Sequence, residues 1–203
     1  MISRGFDMNL PNKLTVLRII LIPVFMIFAF PYPESLPLFS NAEWFLNCKA
    51  IVAFTVFVLA SITDYLDGYI ARKNNLVTDF GKFLDPIADK LLVTACLLSL
   101  AFISEAYVWA TMIILIREFV VTGMRLIAAG KGVVIAAGKL GKWKTATQMV
   151  ALSVLLFAPI LPDGVFYDIV FFLGNVTMAV SVVLTIVSGI EYIYKNRSLL
   201  ESK

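Results

Sequence analysis

The chain has 203 residues, of which 60% are hydrophobic and 15% charged, with a mean hydropathy of +0.90 and a formal net charge of +3. An apolar share this far above the roughly 45–50% of a soluble domain excludes an ordinary water-soluble fold and leaves an integral membrane protein. The absence of histidine excludes His-based catalysis and His-liganded metals and leaves acid–base work to carboxylates, while so small a net charge gives no nucleic-acid signal.

Met1 to Pro11 is a short, mixed juxtamembrane segment without a signal-peptide pattern. Six apolar segments follow, at about 14–30, 49–71, 84–103, 107–129, 145–161 and 168–193. Each is near the ~20 residues that cross a bilayer. Pro31-Tyr32-Pro33 ends the first, the polar stretch Lys73 to Phe80 joins the second to the third, and a basic loop, Gly130 to Lys144, joins the fourth to the fifth. Pro159, Pro162, Asp163 and Gly164 break the fifth from the sixth. This pattern predicts an all-α integral membrane fold of six transmembrane helices with a short N-terminal juxtamembrane segment. No polar stretch is long enough for a second domain, so residues 1–203 read as one domain. Cys48 and Cys96, far apart in apolar surroundings, read as small buried side chains.

The charges alternate with the segments. Arg4 and Lys13, then Arg72, Lys73 and Lys82, then Lys131, Lys139, Lys142 and Lys144, then Lys195, Arg197 and Lys203 fall to one side. Glu34, Glu43, Glu105, Asp163 and Asp168 fall to the other, with Lys49 as its one base. By the positive-inside rule both termini are cytosolic in a multi-pass protein of the cell membrane.

The most informative run is Asp64-Tyr-Leu-Asp67-Gly68-Tyr-Ile-Ala71-Arg72, followed by Gly81-Lys-Phe-Leu-Asp85-Pro-Ile-Ala-Asp89. Carboxylates beside apolar spans are costly and mark ion or substrate sites. Asp64 and Asp67 are i, i+3 and Asp85 and Asp89 are i, i+4, so each pair shares a helix face. Helix-dipole stabilisation can explain Asp85 and Asp89 at a helix start, but Asp64 and Asp67 near a helix end oppose the dipole. A hard divalent cation with oxygen ligands, Mg²⁺ or Mn²⁺, accounts for all four. The competing reading, a divalent-cation transporter, expects acids through the depth of the membrane, whereas here they sit at one face. It also leaves Gly68, Arg72 and the basic loop unexplained.

The order Asp-x2-Asp-Gly-x2-Ala-Arg-x8-Gly-x3-Asp-x3-Asp resembles the signature of the CDP-alcohol phosphatidyltransferase family, with eight matching residues across the 26 positions from 64 to 89. The resemblance implies a six-helix fold and two divalent cations, Mg²⁺ or Mn²⁺, held by Asp64, Asp67, Asp85 and Asp89. It implies that Asp89 is also the general base. It further implies CDP-diacylglycerol as donor and a homodimer, while the charge pattern places the aspartates, and so the active site, on the cytosolic side. Asn12 and Thr15, in Pro11-Asn12-Lys13-Leu14-Thr15, resemble the family's nucleotide-contacting segment. The alternative is that Asn12 caps a helix on which Thr15 and Arg18 face the membrane interface. Gly68 is either a helix-packing or loop glycine or one that lets a phosphate approach the backbone, Arg72 contacts a phosphate or anchors the helix, and Thr78 resembles a position near the CDP phosphates.

Arg117 and Glu118 lie inside the fourth apolar run, Arg125 lies nearer its cytosolic end, and Lys139, Lys142 and Lys144 cluster in Gly138 to Thr145. An ion pair and positive-inside anchoring are the bland account. A basic pocket also suits a second, anionic substrate. Arg117-Glu-Phe, Gly123-Met-Arg125 and Gly141-Lys-Trp-Lys-Thr145 resemble the bacterial branch of the family whose acceptor is glycerol 3-phosphate, implying phosphatidylglycerophosphate and CMP as products. Inositol phosphate, phosphatidylglycerol and serine remain alternative acceptors, of which serine suits a basic pocket least.

Overall fold

In the computed structural model, which describes residues 9–31, 43–73, 79–136 and 138–197, each apolar segment lies on a long helix. These are α1 (Leu10–Ala29), α2 (Glu43–Lys73), α3 (Asp79–Ala101), α4 (Glu105–Gly130), α5 (Lys139–Phe157) and α6 (Val165–Lys195). There is no β-strand among the described residues. Four helices contain stretches long and apolar enough to cross a membrane: Asn12–Ala29 of α1, Asn47–Asp64 of α2, Lys139–Ile160 of α5 and its extension, and Val165–Lys195 of α6. The other two are long enough, at 23 and 26 residues. However, α3 carries Asp79, Lys82, Asp85, Asp89 and Lys90 in its first half, and α4 carries Arg117, Glu118 and Arg125.

Two boundaries differ from the sequence expectation. Helix α1 opens at Leu10 with Asn9, not Asn12, at the cap position and Pro11 in its first turn. Asn12 therefore sits inside the helix and is buried. Helix α5 begins at Lys139, so Lys139, Lys142 and Lys144 belong to a helix rather than to a loop. Lysine and leucine are good helix formers, and a lysine stem can lie along an apolar surface while its charge finds a partner.

The chain divides into two compact units, Met1–Ser99 and Leu100–Lys203. In the first, α1 and α2 pack antiparallel. Phe28 stacks on Phe45 with ring centroids 5.2 Å apart, and Phe25 tilts against Phe57 at 6.3 Å. Phe25, Phe57, Leu92 and Cys96 are among its fully buried side chains.

In the second unit α6 packs on both α4 and α5. Its buried residues Gly174, Met178, Ser181, Thr185, Ser188 and Tyr192 recur at alternating steps of four and three, the seam of near-parallel helices that interlock. Most are small, which lets helix backbones approach where no hydrophobic force drives them together. Several hydroxyls in the apolar helices bond within their own helix: Thr111 donates to the Tyr107 carbonyl and Thr185 to the Ser181 carbonyl, both at 2.7 Å, whereas the buried Ser181 hydroxyl has no hydrogen-bond partner among the described residues. The Tyr107 hydroxyl ties α4 to α6 by donating to Asn175 Oδ1 at 2.7 Å. Pro159 closes α5 in a single 3-10 turn, Ala158–Ile160. Gly164, at φ 150°, then takes a conformation open almost only to glycine before α6 starts.

The tightest point of the α5–α6 contact is Gly174, where an added Cβ would lie 2.7 Å from Leu155 Cδ2 and 2.9 Å from its Cγ. Leu155 is itself buried and has little room to retreat. Gly174→Ala is expected to destabilise the second unit by about 1–3 kcal/mol, seen as a lower Tm of the purified protein in detergent.

Candidate functional site

Asp64 lies in the last three turns of α2, where its carboxylate opposes the helix dipole and needs another partner. That partner is Arg18 of α1: Nη1 stands 2.6 Å from Asp64 Oδ1, with the Arg18 side chain fully buried and that of Asp64 46% exposed. Arg18 thus faces into the helix packing, not the membrane interface. One turn earlier, the Thr15 hydroxyl donates to Asp85 Oδ1 of α3 at 2.6 Å. Asn12, Thr15 and Arg18 recur at intervals of three on α1, and all three are buried. One face of α1 therefore holds one aspartate from each pair. Both contacts are made by Oδ1.

Helix α3 carries the second pair. Asp85 is half-buried, Asp89 is exposed one turn further on, and Gly81 is buried one turn before Asp85. Pro86 lies within the helix and has no N–H to offer the carbonyl one turn back. The backbone of α2 continues helically through Asp67, Gly68 and Arg72. The side chains of those three, and all of Thr78, lie outside the described residues. No group of three metal-binding side chains converges among the described residues. The donor chemistry is nonetheless suited to a hard cation: half-exposed carboxylates, each anchored through one oxygen.

In the second unit, Glu118 Oε1 accepts from Arg117 Nη1 at 2.9 Å and from Lys144 Nζ at 2.8 Å. The expected Arg117–Glu118 ion pair is therefore present, and Lys144 extends it to α5. Lys144 is buried, whereas Lys139 and Lys142 are exposed. Arg125 is exposed and engaged by α6: its Nε donates to the Tyr192 hydroxyl at 3.4 Å and its guanidinium lies 5.8 Å from that ring's centroid. A groove of about 230 Å³ runs beside Arg117, bounded by apolar side chains including Ile116, Val120, Ile186 and Ile190.

The chain matches the CDP-alcohol phosphatidyltransferase family over residues 8–187. It belongs to that family. This phosphatidyltransferase is 45% identical over 194 residues to the CDP-diacylglycerol–glycerol-3-phosphate 3-phosphatidyltransferase of Bacillus subtilis (strain 168), covering 96% of this chain and 98% of the relative. It is 41% identical over 186 residues to the protein of the same name from Rickettsia bellii (strain RML369-C), covering 92% and 94%. With a probable phosphatidylglycerophosphate synthase of Mycobacterium tuberculosis (strain CDC 1551 / Oshkosh) it shares 36% identity over 185 residues, covering 91% and 80%. The phosphatidyltransferase family uses divalent cations.

Sequence reading singled out the aspartates and Thr15 but missed what Arg18 does. The available signal was a lone cation on an apolar helix, in step with Asn12 and Thr15. Thr15→Val removes the hydroxyl donor but keeps the side-chain shape. It is expected to cost about 1–2 kcal/mol in chemical denaturation, whereas Thr15→Ser stays near the parent value.

Proposed function

We propose that this membrane enzyme transfers the phosphatidyl group of CDP-diacylglycerol to glycerol 3-phosphate, giving phosphatidylglycerophosphate and CMP. The observation that carries this reading is the 45% identity, over nearly the whole of both chains, to a relative bearing that activity in its name. In this reading all six helices cross the cell membrane. The basic residues between them lie in the cytosol with both termini, and the protein is a homodimer.

Asp64, Asp67, Asp85 and Asp89 hold two divalent cations, Mg²⁺ or Mn²⁺. When bound, these would supply stabilisation of the negative charge that develops on the diphosphate oxygens. Arg18 and Thr15 each fix one oxygen of Asp64 and Asp85, which supports a preorganised donor set. Asn12 and Thr15 bind the cytidine, and Gly68, Arg72 and Thr78 bind the phosphates of the CDP-lipid. Arg117, Arg125, Lys139, Lys142 and Lys144 receive the phosphate of glycerol 3-phosphate. Asp89 takes the proton of the acceptor hydroxyl. The hydroxyl oxygen then forms a bond to the phosphorus that bears the lipid, and the bond from that phosphorus to the CMP oxygen breaks. CMP leaves with the electron pair. The exposure of Asp89 suits a base that must pass its proton to solvent.

The test is CMP release by purified protein with CDP-diacylglycerol and, in turn, glycerol 3-phosphate, inositol phosphate and serine. Release is expected with glycerol 3-phosphate and is lost in EDTA. Release only with another alcohol would keep the chemistry and replace the acceptor. Asp89→Asn is expected to lower turnover by at least about 100-fold while CDP-diacylglycerol still binds, and near-normal turnover would remove Asp89 as the base.

A further inference from the structure

Arg117 and Glu118 are neighbours on one helix, so their side chains leave the axis about 100° apart and do not naturally meet. They meet here because Arg117 wraps around α4, and two glycines leave room for it. A Cβ at Gly189 of α6 would lie 3.0 Å from Arg117 Cγ, and one at Gly141 of α5 would lie 3.3 Å from Arg117 Nη2. Glu118 Oε1 then bridges the guanidinium and the Lys144 ammonium. The side chains of Lys144 and Arg117 are only 4% and 14% exposed, and that of Glu118 is 29% exposed. Two cations held this close with little water repel each other, and one carboxylate oxygen between them offsets that repulsion. The formal charges of Arg117, Lys144 and Glu118 leave the trio positive. Arg117 Nε is buried with no hydrogen-bond partner among the described residues, a cost that is removed when an acceptor reaches it.

We propose that Glu118 is a positioning residue. Its carboxylate holds Arg117 and Lys144 together as one two-cation receptor for the phosphomonoester of the acceptor alcohol, and bare Gly189 lets the arginine stem reach that position. This rests on the reading above that these cations receive the acceptor's phosphate. A carboxylate that served only to neutralise charge in the bundle would affect both substrates alike, or only the amount of folded protein. A positioning carboxylate affects the acceptor.

The experiment is steady-state kinetics of the full-length protein in detergent, varying glycerol 3-phosphate and CDP-diacylglycerol separately. Glu118→Ala is expected to raise KM for glycerol 3-phosphate roughly tenfold or more. KM for CDP-diacylglycerol should stay within about twofold of the parent. Glu118→Gln keeps an oxygen able to accept from both cations but not the charge that offsets their repulsion, and is expected to recover part of the loss. Gly189→Ala displaces the arginine stem without altering any charge and is expected to raise the same KM. A folded Glu118→Ala that shifts both KM values equally, or neither, overturns the proposal. If Glu118→Ala does not fold, Gly189→Ala with the parent's KM for glycerol 3-phosphate overturns it instead. Lys144→Ala, run alongside, separates the two levels. An unchanged acceptor KM there removes the cations from the acceptor site altogether. A raised one, beside a silent Glu118→Ala, removes only the positioning role.

Discussion

The side chain of Arg18 has no exposure to solvent, and the Asp64 carboxylate, 2.6 Å away on another helix, offsets the cost of burying its charge. A charged side chain in the middle of a membrane helix costs about 2.5–3.5 kcal/mol on insertion scales, so a chain this apolar keeps few such charges and pairs them across helices. That pairing fixes how α1 sits along α2. With Arg18 opposite Asp64 near one end of the antiparallel pair, Phe25 meets Phe57 and Phe28 meets Phe45 progressively toward the other. Thr15, one turn from Arg18, then adds α3 through Asp85. The contacts that hold the first unit together are made by the same carboxylates the proposed chemistry needs.

The second unit obeys the same constraint with the signs exchanged. Glu118 is the anion, and Arg117 and Lys144 are the cations it must bring together from two helices. Packing supplies the space. The seam of α6 is mostly glycine, serine and threonine, so α4 and α5 approach closely, and Gly189 receives the arginine stem that a larger residue would displace. In this unit a short side chain on one helix thus admits a long charged side chain from another.

Anchoring has a consequence for a phosphatidyltransferase. A carboxylate held through one oxygen has lost most of its rotational freedom before any ligand arrives, and its second oxygen is aimed in advance. The proposed cation ligands and the proposed phosphate receptor share this property. Preorganisation of that kind lowers the entropic cost of holding a diphosphate and an attacking hydroxyl in line. It also explains why an enzyme that handles charged phosphates can be built from a chain that is 60% hydrophobic. Its charges within the helix packing are paired, as at Arg18 with Asp64 and at Glu118 with Arg117 and Lys144, and much of the remaining helix surface is apolar.

Much of this was legible in the sequence. Six apolar runs gave six long helices, because burying backbone hydrogen bonds in an apolar medium leaves few alternatives to a helix. The spacing of Asp64, Asp67, Asp85 and Asp89 marked the candidate site and the family, since fixed intervals on helices become shared faces. Local sequence does not carry partner choice. Arg18 read as an interface residue because hydropathy registers only that a charge is present. Its carboxylate lies 46 positions away on another helix, and only the packing of α1 against α2 brings them together. Lys144 read as part of a loop because a lysine cluster resembles exposed chain. Tertiary structure made it a buried helical residue by placing Glu118 beside it. The sequence by itself determined which segments are helices and which family the chain belongs to, because both follow from local composition and spacing. The tertiary structure alone decided which charge neutralises which, because that depends on distances between helices that no interval along the chain encodes.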